Sequence, residues 1–254
     1  MKKQIQKRFG GIAFLMLLVT MLPAQLPLEL SAYVTAGSAK LNYTAGAKSE
    51  GSLGLSAGGN ITVWIEKYPD VGVMSGLGIG YFTGTSSISS FSTIRDKYEN
   101  GFLFINDYVD YSTRVRAYYI HVPLMGTYRL VVGDHDLFAA AGIKLGFDIY
   151  NSYNLKASNL TRRSSFPSMG MYFTNMPAHG FDVTTGHSVP GKNKSFGLDL
   201  PLAFEVGMCW NLSRKLYTTF FLDYGLTDIK PPELNEYMSK IKTSTFGLKL
   251  RIEL

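Results

Sequence analysis

The sequence predicts an all-β chain, an eight-stranded antiparallel up-and-down transmembrane β-barrel, and three observations lead there. Every even position from Leu198 to Leu212 is large and apolar, while the odd positions are Asp199, Pro201, Ala203, Glu205, Gly207, Cys209 and Asn211. Strand side chains alternate between two faces, so this stretch has one oily face and one small or polar face. A helix would scatter the same residues around its circumference. The run also exceeds the roughly 5–6 residues of an ordinary strand and reaches the about 9–11 that a strand needs to cross a bilayer. Finally, the connections between such runs alternate between short and long, the layout of outer-membrane barrels.

Charged residues make up only 17% of the chain and Gly contributes 26 residues, a composition that argues against a soluble helical enzyme. Lys2, Lys3, Lys7 and Arg8 precede the apolar run from Phe14 to Met21 and a Pro23-Ala24 end. That pattern reads as a secretory signal peptide over residues 1–24, with cleavage as late as Ala32 as the alternative. Its removal takes away most of the net charge of +6, and with it the case for a nucleic-acid partner. Cys209 is the only cysteine, so no intramolecular disulfide forms; on the small-residue face of a strand it is expected to pack. After residue 24 there is no apolar run of about 18 residues, so a bilayer crossing must use a closed barrel, which leaves no backbone edge unpaired in lipid.

In chain order, the barrel is expected over 33–254. Tyr33 to Thr44 alternates weakly. Leu53 to Glu66 puts Leu55, Ala57, Ile61, Val63 and Ile65 on one face, and Lys67-Tyr68-Pro69-Asp70 turns into Val71 to Phe82. There Gly76, Gly78 and Gly80 resemble a phosphate loop, but strand alternation runs through them with no helix behind, so they are read as inner-wall glycines that make room for bulky side chains. Residues 84–112 read as a long loop. Arg116 to Leu130 returns, with a bulge or a lost ladder bond expected at Pro123. Residues 131–136 turn into Leu137 to Tyr150, residues 151–195 form the largest loop, and the 198–212 strand follows. A turn at 213–215 leads into Leu216 to Leu226, a loop at 227–243 carries Pro231-Pro232, and Thr245 to Leu254 ends the chain.

Periodicity alone gives two faces without a direction. The less oily face is Gly, Ala and Ser with charges of both signs, namely Glu66, Arg129, Lys144, Asp148, Glu205, Asp223, Lys249, Arg251 and Glu253. A solvated strand face would be richer in Lys, Glu and Thr. A barrel of this size is filled by its own side chains, and small residues among pairable charges suit such an interior. These nine residues are therefore the candidate lumen charge network. Trp210, Tyr128 and Tyr118 on the oily face suit an interfacial aromatic girdle.

The final strand TFGLKLRIEL and the stretches GLSAGGNITVWIEKYPDVGVMSGLGIGY and YYIHVPLMGTYRL resemble small outer-membrane β-barrel proteins of the Bacteroidetes, the group with PorT-like and OmpA N-terminal-like barrels. The resemblance implies insertion by the barrel-assembly machinery, which would read the strand Phe246 to Leu254. Leu254 departs from the terminal aromatic many such signals carry, and no peptidoglycan-binding domain is expected after this strand. It further implies a bacterial outer-membrane location with both termini in the periplasm, and outer-membrane lipid as surroundings.

The function expected from these readings is a structural or interaction scaffold, alone or as a subunit of a larger outer-membrane assembly, with protein partners at the extracellular loops. Arg162, Arg163, Phe166, Met169, Met171, Tyr172, Phe173, Met176 and Phe181 form the candidate loop interaction surface, aromatics and Met being common in binding patches. The competing use of these side chains is as a lid over the barrel mouth. Two alternatives come from other classes: a narrow channel for ions or small solutes, and a lipid-modifying or hydrolytic enzyme built on His179, Asp182, His187 and Ser188. No residue set points to a metal or cofactor.

Overall fold

A computed structural model describes residues 27–43, 48–96, 101–133, 135–192, 198–229 and 240–254. The signal-peptide reading of 1–24 and most of the loop read at 227–243 fall outside these residues. The described residues form β1 (Leu28–Tyr43), β2 (Lys48–Glu50), β3 (Ser52–Ile65), β4 (Tyr68–Asp96), β5 (Leu103–Val132), β6 (His135–Phe166), β7 (Met171–Phe173), β8 (Val183–Lys192), β9 (Pro201–Asn211), β10 (Lys215–Gly225) and β11 (Ile241–Glu253). Every pairing among them is antiparallel. β1 pairs β3, β3 pairs β4, β4 pairs β5, β5 pairs β6, β6 pairs β9, β9 pairs β10 and β10 pairs β11. β11 then returns to β1, from Ser31↔Glu253 to Tyr43↔Ile241, and the sheet closes into a ring. β2 adds to β4, while β7 and β8 add to β6, all toward the long-hairpin end.

The faces point as the alternation predicts. Phe204 and Ile252 are 47% and 43% exposed on the outer wall, while Glu205 and Lys144, inside the ring, are only 3% and 9% exposed. Met74, Met125, Phe138, Ala140, Ala203, Cys209 and Tyr217 pack together within the ring, so Cys209 is indeed a packing residue. Tyr33 reaches His121 inside the wall, and a Cβ on Gly78 would strike both of them; one on Gly80 would strike the Tyr119 ring. These glycines do serve as clearance. At Pro123, which has no N–H to donate, the ladder to β4 lapses between Ser75↔Leu124 and Gly78↔His121 with no change of register. The β6 side continues through Pro123↔Lys144.

The stretches 84–112 and 151–195 are largely strand, which corrects their reading as loops. β4, β5 and β6 run for 29, 30 and 32 residues, and β7 and β8 follow. The sequence signal fails there because the faces exchange roles. A bulge at Ile149, between Tyr118↔Tyr150 and Tyr119↔Asp148, switches the inward parity of β6 from even to odd positions. Beyond it the outer residues are mostly Ser, Thr, Asn, Lys and Arg, with isolated exceptions such as Val109 and Ile94. The inner ones, including Val115, Ala117, Tyr153, Leu155 and Ala157, join Leu41, Tyr108, Tyr111 and Leu160 in a second apolar core. The ladder persists after the oily outer stripe has ended.

Candidate functional site

Two regions gather the chemistry-bearing side chains: the lumen, and the tip where β5, β6 and β7 meet. In the lumen, Lys249 Nζ donates to both Glu205 oxygens at 2.8 and 3.0 Å and lies 4.4 Å from the Tyr33 ring. Lys144 Nζ grips both oxygens of Asp223 at 2.8 Å. Among the described residues Arg251 meets no carboxylate; its guanidinium lies 3.7 Å over the Tyr217 ring and 4.4 Å over Phe138, and Nη1 donates to Met74 Sδ. Near the short turns, Arg129 sits 3.7 Å from Asp136, 4.0 Å from Glu29 and 4.4 Å over the Trp64 ring. Glu29 also accepts from Tyr217 Oη at 2.7 Å, and Lys215 bridges Glu29 and Glu253 at 3.4 and 3.3 Å. Charges withdrawn from water persist only when compensated: carboxylates do this for Lys249 and Lys144, while Arg251 rests on two ring faces and its Nε and Nη2 find no hydrogen-bond partner among the described residues.

Of the predicted lumen residues, Arg129, Lys144, Glu205, Asp223, Lys249, Arg251 and Glu253 therefore join these contacts, and Asp148 accepts from Asn151 at 2.6 Å. Glu66 does not belong: it sits exposed in the turn between β3 and β4, because the strand ends one residue earlier. Glu29, Asp136 and Lys215 were missed, each having been assigned to a terminus or a turn. The alternation of Leu28, Leu30 and Ala32 against Glu29, Ser31 and Tyr33 could have revealed the first.

At the tip, Phe166, Phe173 and Phe181 turn toward Phe102 and Phe104, with ring centroids 5.7 Å apart for Phe102–Phe173 and 6.3 Å for Phe104–Phe181. Arg163 Nε donates to Asp107 at 2.7 Å, and this bond, with a second from Ser92, holds the Asp107 carboxyl below the usual carboxylate range. Arg162 donates to Asp182 and Thr184, both at 3.2 Å. Two short 3-10 turns, Pro167–Met169 and Pro177–His179, each end on a left-handed glycine, Gly170 at φ 63° and Gly180 at φ 78°. Between and around them Met169 and Tyr172 stand 64% and 72% exposed, with Met171 and Met176 also exposed. The predicted surface thus divides into internally satisfied Phe and Arg side chains and an exposed Met and Tyr patch.

The four residues considered for hydrolysis are not assembled. Asp182 holds Arg162, Ser188 donates to Asn154, and His187 lies 6.2 Å from the Tyr108 ring. Burial, with the Arg162 charge, pushes the His187 pKa down. His179 is exposed in the second 3-10 turn, and no hydrogen bond joins any two of the four.

Residues 25–230 match the family described as outer membrane protein beta-barrel domain. The chain belongs to that family. This β-barrel is a protein of the bacterial outer membrane, so the exposed apolar wall faces lipid. Among solved structures the barrel is similar to Neisserial surface protein A, at 10% identity over 89% of this chain and 97% of that chain, with a TM-score of 0.36. It is also similar to Ail, the attachment invasion locus protein of Yersinia pestis, at 11% identity over 89% and 98% with a TM-score of 0.30. A major outer membrane protein of Thermus thermophilus gives 11% identity over 88% and 99%, again with a TM-score of 0.30. No curated protein matches the barrel's sequence.

Proposed function

We propose that this chain is a surface-exposed outer-membrane protein that works through an arm built on β4, β5 and β6. The transmembrane part is read as the eight-membered ring of β1, β3, β4, β5, β6, β9, β10 and β11, with the short turns and termini in the periplasm and the long hairpins outside. The observation that carries the reading is the length of β4, β5 and β6, at 29, 30 and 32 residues, where a membrane crossing needs about 9–11. The excess forms a structured sheet with its own core, and its tip presents Met169, Met171, Tyr172 and Met176 to solvent. Flexible thioethers beside an exposed aromatic suit an adaptable protein contact. The PorT-like resemblance and delivery by the barrel-assembly machinery through Phe246 to Leu254 belong to the same reading.

The test is co-purification from native membranes in mild detergent, comparing the wild type with a variant carrying serine at Met169, Met171, Tyr172 and Met176. The variant is expected to reach the outer membrane and lose specific companions. An unchanged set of companions overturns the reading.

A further inference from the structure

The outward face changes character where the long hairpins leave the apolar belt. On β5 the outward residues Tyr128, Leu124 and Tyr118 give way to Arg116 and then Arg114, both exposed. On β6 the apolar run closes at Tyr150, and Lys156 follows further out. Lys40 of β1 lies 5.9 Å from the ring of outward-facing Phe246. Tyr81, Tyr118 and Tyr150 form an aromatic rim at this level, with centroids 4.9 and 6.2 Å apart. Two and four residues beyond Tyr118 correspond to about 7 and about 13 Å along the strand, the zone next to an aromatic girdle where lipid headgroups lie.

The residues paired with these cations are uncharged, and the nearest acids on this face are Glu50, one strand beyond Thr85, and Asp110, which accepts from Ser158. Arg114 is paired with Thr85 and Asn154, Arg116 with Thr83 and Ser152, and Lys156 with Ser112 and Ser188. Among the described residues none of the three forms an ion pair, whereas Lys144, Lys249, Arg129 and Lys215 inside all do. At the opposite edge of the belt the exposed charges Glu66, Lys67 and Arg214 are of mixed sign. Cations that pair with no carboxylate and stand beside hydroxyl and amide groups at headgroup depth are complementary to phosphate.

We propose that Arg114, Arg116 and Lys156, flanked by Lys40, form a docking surface for the phosphate groups of a phosphorylated glycolipid in the leaflet at the long-hairpin end. The inference rests on the membrane-spanning barrel and its orientation, and is independent of any partner at the arm's tip.

The test uses the full mature protein in uncharged detergent micelles, with fluorescent bisphosphorylated lipid A and its dephosphorylated form as probes, read by anisotropy. The phosphorylated probe is expected to bind at least about tenfold more tightly. Arg114→Ser with Arg116→Ser weakens that binding about thirtyfold, and Lys156→Ser alone about fivefold, while Arg214→Ser at the other end leaves it unchanged. A heat-dependent gel shift verifies that each variant remains folded, as expected for exposed side chains without ion partners. Equal binding of the two probes, unchanged binding by the double variant, or an equal loss in Arg214→Ser overturns the proposal. Complete displacement by an equimolar amount of inorganic phosphate also overturns it, since the ligand would then be a free anion.

Discussion

Tyr33 Oη and His121 Nε2 share a 2.6 Å hydrogen bond between strands that are not neighbours. The row that joins them runs Tyr33↔Gly58, Gly58↔Gly78 and Gly78↔His121, so both intervening inner positions lack a side chain. Gly78→Ala is expected to force this pair apart and lower stability by about 1–3 kcal/mol, as overpacking does. Urea unfolding followed by tryptophan fluorescence checks it, with Gly133→Ala, whose surroundings are open but whose φ is 63°, as a comparison for backbone strain alone.

The Lys249–Glu205 pair is fully enclosed. Lys249→Met leaves an uncompensated carboxylate and should lower stability by about 3–5 kcal/mol, whereas adding Glu205→Met to it should recover most of that loss. A double-mutant cycle on the refolded barrel measures the coupling.

Conductance in planar bilayers is expected to be absent for the wild type. Lys249–Glu205 and Lys144–Asp223 fill the lumen, and the core around Tyr111, Val115 and Leu155 lies beyond them. A steady single-channel current would show that these side chains leave a path for ions.

Acid should loosen the arm before the barrel. Arg163 holds the Asp107 pKa below its unfolded value, so the pair's contribution is present above the ordinary carboxylate range, about pH 4, and is lost as pH falls through the lowered folded value. The pair is partly exposed, so the effect is small and local. Hydrogen-exchange protection factors at residues 103–109, each referred to the intrinsic rate at its own pH, should fall in acid in the wild type and already be lower at neutral pH in Asp107→Asn.

The mature chain is expected to retain Glu29. Cleavage near Ala32 would strip the partner from Tyr217 Oη, leave Lys215 with Glu253 alone and take Leu28–Ser31 from β1. Mass spectrometry of the mature N-terminus decides it.

The membrane-level fold was legible because lipid demands a continuous apolar outer stripe, and runs such as Leu137 to Phe147 and Leu198 to Leu212 display one. Beyond the belt, water touches the outer wall of β4, β5 and β6, the stripe ends, and Thr85, Arg114 or Asn154 gives no sign that the ladder continues. Lumen charges on clean strands, such as Lys144 and Lys249, were found by parity. Their counterparts at strand ends, Glu29 and Asp136, were not, since alternation says little where a run begins or stops. The tip eluded the sequence for another reason: nothing in one-dimensional order tells Phe173, which finds Phe102, from Tyr172, which faces solvent.

The seam between β1 and β11 joins the first described strand to the last along Ser31↔Glu253 to Tyr43↔Ile241. Its two halves are separated by nearly the whole polypeptide, so the cylinder cannot shut until the carboxyl end has been delivered. A chain interrupted before Ile241 would present two raw sheet margins, each a template for joining other chains, and truncation should yield aggregates rather than a smaller working pore-less wall.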